Sequence, residues 1–540
     1  MKRVLILGGY GGFGARLSRR LASDGFEVLV GGRDANKAGA FAASLPRARG
    51  VVADRNGDVA ALLRTWRPAA LIDAAGPFQG SGYHVAEACI GAGVDYLDLA
   101  DARDLVTGIG QLDASARAAG VRIISGASSV PALSGAVLRH LCNGLDGVDM
   151  VEIAISASNR ATAGPSVASA ILSYAGKPLR LWRGRRWQRI FGWSEKRRMR
   201  FAVDGVRSIN RLVALADVPD HDLVPGNLRG KPAMTFYAGP EFAFQLRAIA
   251  ALGWLVRLGW LRSLSSLARW LLPLQRLTNW AGSDRSAMRV EAKGRKGEVQ
   301  RVVRWTLIAE NGDGPEIPVL AAQLLMRRLA DDALSPGACN ASRLLSLKEF
   351  EPLFDQLAIR HQSIQSDYRA LYGRVMGDVF DALPPAVRIM HSIVGDGGAE
   401  GQATVTRGGN ILAKLIANIM RFPPAGDHVL HVHFTERDGA ECWTRDFSGH
   451  RFSSHLSQAG QQLVERFGPM RFHFDLSGNE NGLRMHMQRW TAFGLPMPLF
   501  LGPKSNAREW GEGDRFHFDV PISLPLIGPV IHYRGWLNKI

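Results

Sequence analysis

Three glycines near the start of the chain have the spacing of a dinucleotide-binding turn. Gly9, Gly11 and Gly14 match G-x-G-x-x-G between an apolar run, residues 4–7, and a helix-like stretch, residues 14–24. One glycine permits the tight turn, the next lets backbone N–H groups approach a pyrophosphate, and the third lets helix and strand pack closely. The start of the helix offers free N–H donors to the phosphates. The predicted cofactor loop is Gly8, Gly9, Tyr10, Gly11, Gly12, Phe13 and Gly14; a merely structural glycine turn is the alternative.

The end of the second apolar run indicates which coenzyme binds. An NAD site usually places a carboxylate there to accept hydrogen bonds from the ribose hydroxyls, whereas this run ends in two glycines followed by Arg33 and Asp34. The Arg33 guanidinium suits a 2′-phosphate, so the sequence favours NADP over NAD. Asp34 is either the N-cap of the next helix or a ribose ligand displaced by one residue.

Two further strand ends should face the coenzyme, because ligands bind at the carboxyl edge of such sheets. Asp54 and Arg55 follow the third predicted strand and could contact the adenine. Ala75, Gly76 and Pro77 follow the fourth, where small residues would let the chain pass close to the nicotinamide half. Ordinary surface loops are the alternative for both segments.

Catalytic side chains are not evident from the residue pattern. No Tyr-x-x-x-Lys pair has the spacing expected of a short-chain reductase. Tyr174 and Lys177 are three residues apart at the end of a predicted helix, where they could share one face and protonate a carbonyl or enolate oxygen. Lys177 is more simply a cation at a helix C-terminus. Hydride transfer depends mainly on placement, so a reductase without an obvious acid is permissible.

Histidines near the C-terminus raise the question of a metal. His431 and His433 alternate on one predicted strand and would face the same side, and Glu441 could complete a ligand set. Such histidines are more often partly buried sheet residues, so we expect no metal. Neither G-x-S-x-G nor HExxH occurs, so hydrolase chemistry has no support.

These residues lie on a chain that divides into three predicted units. Residues 1–140 alternate between short apolar runs and helix-like stretches, which predicts an α/β fold with a Rossmann-type, doubly wound parallel sheet. Residues 141–314 suggest an α+β domain with an antiparallel sheet, and residues 315–354 return to a helical pattern. Residues 355–540 have a polar, helical lead-in over residues 366–380, followed by short strands with turn signals, which predict a mostly β domain.

Composition narrows the class of protein. The chain has 540 residues, of which 46% are hydrophobic and 21% charged, so it should be globular rather than disordered or fibrous. Its four cysteines form no CxxC pair, which argues against a disulfide scaffold or structural zinc and favours a reducing compartment. A signal peptide and an apolar run long enough to cross a bilayer are not found, so we expect a cytoplasmic protein. The net charge of +17 favours anionic partners.

The middle of the chain is unusually basic and apolar. Residues 177–200 hold ten Lys or Arg and one Glu, interleaved with Trp182, Trp187 and Trp193. Residues 242–272 contain no acid, and their arginines fall within an arc of about 140° on a helix, which leaves a wide apolar face. We expect these segments to contact an anionic membrane surface or to cover an apolar substrate channel. A buried helical hairpin is the alternative, and no nucleic acid is expected.

Together these motifs resemble the saccharopine dehydrogenase-like oxidoreductases over about residues 1–354. The resemblance is carried by GGYGGFG, by residues 31–33, 74–78, 96–101 and 126–131, and by residues 337–339 and 345–350. The C-terminal unit is similar to a domain of unknown function, DUF4166, at residues 443–447, 467–469 and 529–536. The family implies a Rossmann domain interrupted by an inserted α+β substrate domain (residues 141–314), with helices at about 315–354 that return to the Rossmann unit. It also implies NAD(P)-linked chemistry on widely diverged substrates. It also draws attention to Asp101, either near the nicotinamide or as a helix N-cap.

The sequence therefore predicts an NADPH-dependent reductase acting on a hydrophobic, lipid-like substrate in the cytoplasm or at the cytoplasmic face of a membrane. A homodimer is expected, and the C-terminal domain would bind or deliver an apolar ligand. The competing hypothesis is a non-catalytic, membrane-associated protein that keeps the dinucleotide fold as a scaffold or redox sensor.

Overall fold

Three large sheets organise the chain. The computed structural model describes residues 2–160, 165–265 and 277–540. An N-terminal parallel sheet, a mixed sheet and a closed antiparallel sheet follow one another; the first two share one large apolar core, each also has a smaller cluster of its own, and the third sheet has a separate core. The α/β class predicted from the sequence, with a Rossmann-type sheet, an inserted domain and a mostly β C-terminal domain, is confirmed.

The N-terminal domain begins as alternating strands and helices. Its strands are β1 (Arg3–Leu7), β2 (Glu27–Gly32), β3 (Ala48–Val52), β4 (Ala70–Asp73), β5 (Asp95–Asp98) and β6 (Arg122–Ser125). Its helices are α1 (Gly12–Ser23), α2 (Ala35–Ala43), α3 (Val59–Trp66), α4 (His84–Ala92), α5 (Arg103–Gly108), α6 (Asp113–Ala119) and α7 (Ser134–Cys142). All pairs are parallel in the order β3-β2-β1-β4-β5-β6. Helices cover both faces, which is why β1 is a continuous apolar run with every residue from Val4 to Leu7 buried.

The substrate domain follows, with a mixed sheet and a separate two-stranded sheet formed by its second and third strands. Its strands are β7 (Gly147–Ser156), β8 (Pro178–Arg183), β9 (Arg186–Phe191), β10 (Arg197–Val203), β11 (Val206–Leu215), β12 (Ala233–Gly239), β13 (Ser286–Lys296) and β14 (Val299–Ala309). Its helices are α8 (Pro165–Ser173), α9 (Asp220–Asn227) and α10 (Ala243–Arg257). The prediction of a purely antiparallel sheet is wrong in one pair, because β12 enters beside β7 in the same direction. Between β7 and β12 the chain forms the hairpins β8–β9 and β10–β11. Strand β12 then enters the sheet parallel to β7, rather than antiparallel to it as expected.

The chain then returns to the first domain, as predicted for residues 315–354. Helix α11 (Ile317–Ala330) packs on α1, and Arg327 pairs with Asp24 at 2.7 Å. Strand β15 (Gly337–Asn340) adds a seventh parallel strand beside β6, and α12 (Leu347–Asp355) follows. This strand lies where the sequence showed only a lead-in to a helix.

The next segment differs from the sequence-based division. Residues 355–540 were assigned to the third unit, yet β16 (Ile359–Tyr368) pairs along the whole of β14 and is the edge strand of the mixed sheet. The predicted helix over residues 366–380 is replaced by the end of β16, a short helix α13 (Leu371–Met376) and a 3-10 segment (Gly377–Ala382). As an edge strand, β16 exposes most of its side chains, so its polar sequence lacks the apolar alternation of a half-buried strand.

The C-terminal domain is a ten-stranded antiparallel barrel. Helix α14 (Pro385–His391) precedes it, and α15 (Ile411–Ile419) lies in its first connection. Its strands are β17 (Asp396–Arg407), β18 (Gly426–Arg437), β19 (Ala440–Phe447), β20 (His450–Ala459), β21 (Gln462–Phe467), β22 (Met470–Asn479), β23 (Gly482–Ala492), β25 (Arg508–Glu512), β26 (Arg515–Leu524) and β27 (Gly528–Lys539), with a short β24 (Leu495–Met497) beside β23. Pairing between β22 and β23 closes the sheet. Aromatic and aliphatic side chains fill the interior.

The barrel has two distinct ends. The inner end holds the connections 438–439, 460–461, 480–481 and 513–514, and lies against the substrate domain, where Lys293 Nζ is 2.7 Å from Glu436 Oε2. The outer end holds the connections 408–425, 448–449, 468–469, 493–494 and 525–527, together with residues 498–507. Within the described chain, none of the outer-end connections makes a hydrogen bond or ion pair with residues 2–368. The outer end therefore points away from the other two domains.

Candidate functional site

The glycine turn between β1 and α1 forms a close-packed cradle. Gly8 has a φ of +71°, and its carbonyl oxygen accepts a 2.8 Å hydrogen bond from the Gly11 N–H. A Cβ atom on Gly14 would lie only 2.1 Å from that same oxygen, and one on Gly9 would lie 3.0 Å from Ile6 O. The turn can therefore be made only by residues without side chains at these positions.

The first turn of α1 supplies the free donors that a pyrophosphate needs. The first backbone hydrogen bond back along the helix runs from Ala15 N to Gly11 O at 2.8 Å. The N–H groups of Gly12, Phe13 and Gly14 therefore have no acceptor within the helix, and they are available to an anion. The Ser18 hydroxyl donates to Gly9 O at 2.9 Å and fixes the turn from below. This cradle fits a dinucleotide.

At the end of β2, the two charged candidates have different surroundings. The Arg33 guanidinium is exposed and makes no hydrogen bond or ion pair with the described residues. Asp34 is the N-cap of α2: its Oδ1 accepts from Lys37 N at 3.1 Å, and this hydrogen bond lowers the pKa of the carboxyl. Of the two alternatives for Asp34, the geometry shows the helix cap, which leaves Arg33 as the group free to meet a phosphate.

Tyr10 links the glycine turn to the end of β2. Its ring lies over Gly32, where a Cβ atom would come within 2.1 Å of Tyr10 Cε1. Its hydroxyl accepts a 3.2 Å hydrogen bond from the Asp34 N–H. The sequence reasoning placed Tyr10 in the loop but missed this contact, for which the paired glycines 31 and 32 were the available signal.

The residues after β3 are divided between surface and interior. Asp54 is exposed and accepts a hydrogen bond from Asn56 N at 3.0 Å. Arg55 turns inward to pair with the fully buried Asp73 at the end of β4, and its Nη1 donates to Ser81 Oγ at 3.0 Å. Burial raises the pKa of Asp73 in spite of this pairing. The structure therefore gives the Arg55 guanidinium an internal partner, whereas the sequence suggested an adenine contact.

Ala75, Gly76 and Pro77 lie directly beside the glycine turn. A Cβ atom on Gly8 would be 3.1 Å from Ala75 Cα, so the loops after β1 and β4 touch. The Ala75 N–H donates to Asp73 Oδ1 at 3.0 Å, and the Gly76–Pro77 peptide is cis. These contacts place the segment at the same edge of the sheet as the glycine turn, and its approach to the nicotinamide stays a prediction.

A second buried carboxylate, Asp98, supports the neighbouring loops. Its Oδ1 accepts from Gly126 N at 2.7 Å and from Ala100 N at 3.0 Å. Burial raises the pKa of Asp98 to about 6. Asp73 and Asp98 thus hold the carboxyl ends of β4 and β5 in place by backbone hydrogen bonds.

Two of the weak catalytic candidates are brought close together. Asp101 follows β5, and its Oδ1 accepts from Gln79 Nε2 at 3.1 Å. Tyr174 follows α8 and stacks on Trp193 with ring centroids 6.2 Å apart. Burial, and then the charges of Asp101 and Asp217, raise the pKa of Tyr174 well above its usual range. Burial also raises the pKa of Asp101, and Asp217 acts in the same direction.

Two alternatives for these candidates are not found. Helix α5 begins at Arg103 after Ala102, with no side-chain cap, so Asp101 is not its N-cap. Helix α8 ends at Ser173, so Tyr174 and Lys177 do not share a helix face. The Lys177 side chain is exposed, and only its backbone N–H contacts Tyr174, at 3.0 Å to the carbonyl oxygen.

Sequence reasoning missed the ion-pair network beside this cluster. Arg103 binds both carboxylate oxygens of Asp222 at 2.6 Å and reaches Asp217 Oδ1 at 3.2 Å. This network joins the loop after β5 to the substrate domain next to Asp101. No local pattern could have revealed it, because the partners are more than a hundred positions apart.

The strand histidines serve the contact between barrel and substrate domain. His431 Nε2 lies 2.9 Å from Gly184 O, at the turn of the β8–β9 hairpin, and His433 Nε2 lies 2.8 Å from Asp396 Oδ2. Glu441 instead faces Glu436 across β18–β19 and accepts from the Trp443 indole at 2.9 Å. In residues 2–160, 165–265 and 277–540, no three His, Cys, Asp or Glu side chains are grouped to hold a metal.

The basic stretch 177–200 is largely engaged inside the protein. Four of its ten cations form ion pairs with residues outside the stretch, namely Arg180 with Asp222, Arg185 with Asp149, Arg186 with Glu400, and Arg197 with Glu152, and Arg183 pairs with Glu195 within it. Trp193 is buried, whereas Trp182 and Trp187 pack edge to face at 5.5 Å. Half of its cations are therefore paired, four of them with carboxylates of the substrate domain and one, Arg186, with the barrel.

The described part of the apolar segment 242–272 is buried on one side and exposed on the other. One side of α10, including Leu246 and Ala250, is buried in the substrate domain, while Phe244, Trp254 and the following Leu258 and Trp260 are exposed. Residues 266–272 of the predicted segment lie outside the described residues. Within the described part of the chain, no helix has both the length and the apolar character needed to cross a bilayer.

Comparisons with known proteins bear on the first and last domains. Residues 4–124 match the family model described as the saccharopine dehydrogenase NADP binding domain, and residues 383–537 match that of a domain of unknown function, DUF4166. No curated protein matches the chain. The apo, histidine-tagged saccharopine dehydrogenase (L-Glu forming) of Saccharomyces cerevisiae is similar over 67% of this chain and 100% of its own, with 11% identity and a TM-score of 0.47. The 3-hydroxyacyl-CoA dehydrogenase type-2 of Mycobacterium avium is similar over 23% of this chain and 71% of its own, with 20% identity and a TM-score of 0.20.

Proposed function

Because the chain is an NAD(P)-dependent oxidoreductase with a saccharopine dehydrogenase-type NADP-binding domain joined to a DUF4166 domain, we propose that it is an NADPH-dependent reductase of a hydrophobic, lipid-like substrate. The observation that carries the proposal is the position of Asp101. Its loop follows β5, at the same carboxyl edge of the sheet as the glycine turn, and its Oδ1 accepts a 3.1 Å hydrogen bond from Gln79 in the loop after β4. An acid thus lies where a bound coenzyme and a substrate would meet.

The chain's own residues would hold the coenzyme in two places. The N–H groups at the start of α1 would bind the pyrophosphate, with Gly8 to Gly14 giving it access. The unpaired Arg33 guanidinium would bind the 2′-phosphate, since the Asp34 carboxylate is occupied as a helix cap. When bound, the coenzyme supplies the hydride and leaves oxidised.

Asp101 would supply the proton. Burial and the charge of Asp217 raise the pKa of Asp101, which favours its protonated form. Because Oδ1 accepts from Gln79 Nε2, the proton resides on Oδ2 and can pass to the substrate oxygen as the hydride adds to the neighbouring carbon. The carboxylate left behind is reprotonated from solvent. Tyr174, held protonated by the same environment, would orient the oxygen by hydrogen bonding.

The exposed face of α10 and the residues that follow it support the proposal that the substrate is apolar. Phe244, Trp254 and Trp260 present large apolar side chains to solvent, and the buried side of α10 packs with Tyr174 and Trp193 in one cluster. A lipid-like substrate could approach the cofactor along this surface. We place the reaction in the cytoplasm, as the spacing of the four cysteines predicts.

Stopped-flow oxidation of NADPH with keto, enoyl and imine substrates of increasing chain length tests the activity. Asp101→Asn should lower kcat by roughly 10²–10⁴-fold, and the pH dependence of kcat that arises from the titration of this acid should disappear. The affinity for NADPH should stay unchanged. Asp104→Asn is the matched control, because Asp104 is exposed three positions away. Tight NADPH binding without turnover of any substrate would instead favour the scaffold or redox sensor.

Calorimetry with both coenzymes tests the choice of NADP. Arg33→Ala should weaken NADPH binding by roughly 10–100-fold, the worth of hydrogen bonds to a charged group, and leave NADH binding unchanged. Asp34→Asn is the control, since asparagine also caps helices well and the carboxylate is not needed. A wild-type preference for NADH would contradict the role of Arg33.

A further inference from the structure

Helix α15, at the outer end of the barrel, turns an apolar face to solvent. Ile411, Leu412, Leu415 and Ile419 are between 54% and 84% exposed and fall within an arc of about 100°. The opposite side, with Ala413 and Ala417, packs on the barrel. A soluble helix normally turns such residues inward, so this orientation requires an explanation.

Other connections at the same end extend the apolar surface. In the antiparallel barrel, the turns after β23 and β26 lie at the same end as the segment after β17. They expose Phe493 and Leu526, and residues 495–501 add further exposed apolar side chains, namely Leu495, Leu499, Phe500 and Leu501. Asn410 Nδ2 donates to Ile527 O, which fixes the start of α15 beside Leu526. The outer-end surface is thus contributed by several segments far apart in sequence.

The charged side chains in the connecting segments of this end have one sign. The six outer-end segments contain no Asp or Glu, but they hold Lys414, Arg421 and Lys504. These cations are exposed and form no ion pair with the described residues. Three of the four inner-end connections carry an acid, namely Asp438, Glu480 and Asp514. The absence of acids from these connecting segments distinguishes them from the connections at the inner end, although Asp427 at the start of β18 is exposed beside them.

We propose that the outer end of the barrel docks on an anionic lipid bilayer. Exposed Ile, Leu and Phe side chains would enter the interface, while Lys414, Arg421 and Lys504 meet the lipid phosphates. A second copy of the chain fits less well, because a two-fold contact would bring the same cations, Lys414, Arg421 and Lys504, of two copies together. This surface is independent of the reductase activity and would hold the two other domains on the side away from the membrane.

Flotation with lipid vesicles tests the proposal on the full-length protein. Vesicles of phosphatidylcholine alone are compared with vesicles containing roughly 30% phosphatidylserine, at low and high salt. Wild-type protein should bind the anionic vesicles preferentially. The variant Ile411→Ser/Leu415→Ser/Ile419→Ser should reduce this binding at least tenfold, with circular dichroism confirming that it is folded.

The matched control changes the other exposed apolar surface. Phe244→Ser/Trp254→Ser/Leu258→Ser alters three residues of similar exposure on and after α10, and it should leave binding within about twofold. A second variant, Lys414→Glu/Arg421→Glu/Lys504→Glu, should remove the preference for anionic vesicles. The proposal is overturned if wild-type protein does not float, or if the α10 variant loses binding while the α15 variant keeps it. It is also overturned if the α15 variant changes only the oligomeric state in size-exclusion chromatography.

Discussion

The cofactor edge of the N-terminal sheet and the outer end of the barrel are both built from loops that join strand ends, yet they are opposite in chemistry. At the cofactor edge, glycines pack within van der Waals distance, and the buried carboxylates of Asp73 and Asp98 accept backbone hydrogen bonds. At the outer end, acids are missing from the six segments and large apolar side chains are exposed. Backbone and buried polar groups shape the first region, whereas exposed side chains define the second.

The difference shows how each region should respond to substitution. A close-packed edge has no room for an added atom, and its buried polar groups lose stability when a partner is removed. An exposed apolar surface loses little folding free energy when it is truncated, because its side chains have few neighbours to lose. Cofactor binding and protein stability should therefore separate the two regions.

The largest expected effect comes from one methyl group at the cofactor edge. Gly14→Ala would place Cβ at 2.1 Å from Gly8 O and force the turn open. Several hydrogen bonds to the charged pyrophosphate would be lost, so NADPH affinity should fall by more than roughly 100-fold in calorimetry. Gly39→Ala in α2 is the control, since nothing lies within 4 Å of its added Cβ. Equal binding by both variants would contradict the close-packed cradle.

The next effect concerns pH. The pKa of Asp98 is raised by burial to about 6, against about 4 in an unfolded chain. The folded state therefore holds this proton more tightly than the unfolded chain does. The contribution of the proton to the unfolding free energy is complete below about pH 4 and is lost as pH rises through about 6. Over that range the wild type should lose roughly 2–3 kcal/mol of unfolding free energy. Asp98→Asn keeps an acceptor for the N–H groups of Gly126 and Ala100 but does not titrate, so the variant should not show this loss. Urea unfolding of wild type and variant at pH 4.5 and pH 7.5 measures this change. If both proteins lose the same unfolding free energy between these pH values, the assignment to Asp98 is wrong.

A smaller effect is expected at the base of the glycine turn. Ser18→Ala removes the 2.9 Å hydrogen bond to Gly9 O and leaves a buried acceptor without its partner. The unfolding free energy should fall by about 1 kcal/mol. Ser23→Ala, at the exposed end of α1, serves as the control in the same thermal unfolding experiment. If both substitutions cost the same, the hydroxyl does not support the turn.

The smallest effect should be at the outer end of the barrel. Ile411→Ala and Leu526→Ala truncate side chains that are 84% and 105% exposed. Each should change the unfolding free energy by no more than about 0.5 kcal/mol, and NADPH binding should stay as in wild type. Denaturant unfolding checks this; a large loss would mean that these residues belong to the folded core.

The cofactor edge was accessible to sequence reasoning because its requirements are local. Gly9, Gly11 and Gly14 are close in the chain, and each is needed by backbone geometry, so spacing alone predicts the turn. The cluster of Asp101, Gln79 and Tyr174 was accessible only in part. Two of its members were singled out separately, but their proximity depends on how the inserted domain packs on the sheet.

Other features depend on pairing between distant segments and left no local signal. Strand β16 has a polar sequence because it is an edge strand, so its place beside β14 could not be found from alternation. The outer-end surface exists because β22 pairs with β23 and closes the barrel, which brings α15, Phe493 and Leu526 to one end. The apolar pattern of a helix does not by itself show whether its apolar face is buried or exposed. The closed barrel has to be known before α15 can be placed at its surface.

The late arrival of β15 has a consequence for synthesis of the protein. Strand β6 is complete at residue 125, but its neighbour β15 starts at Gly337, so residues 126–336 must leave the ribosome before that edge is covered. During this interval the nascent chain displays the unpaired backbone of β6 and the bare surface of α1 that α11 later shields. Translation speed and chaperone access over this stretch should therefore set the yield of correctly assembled molecules.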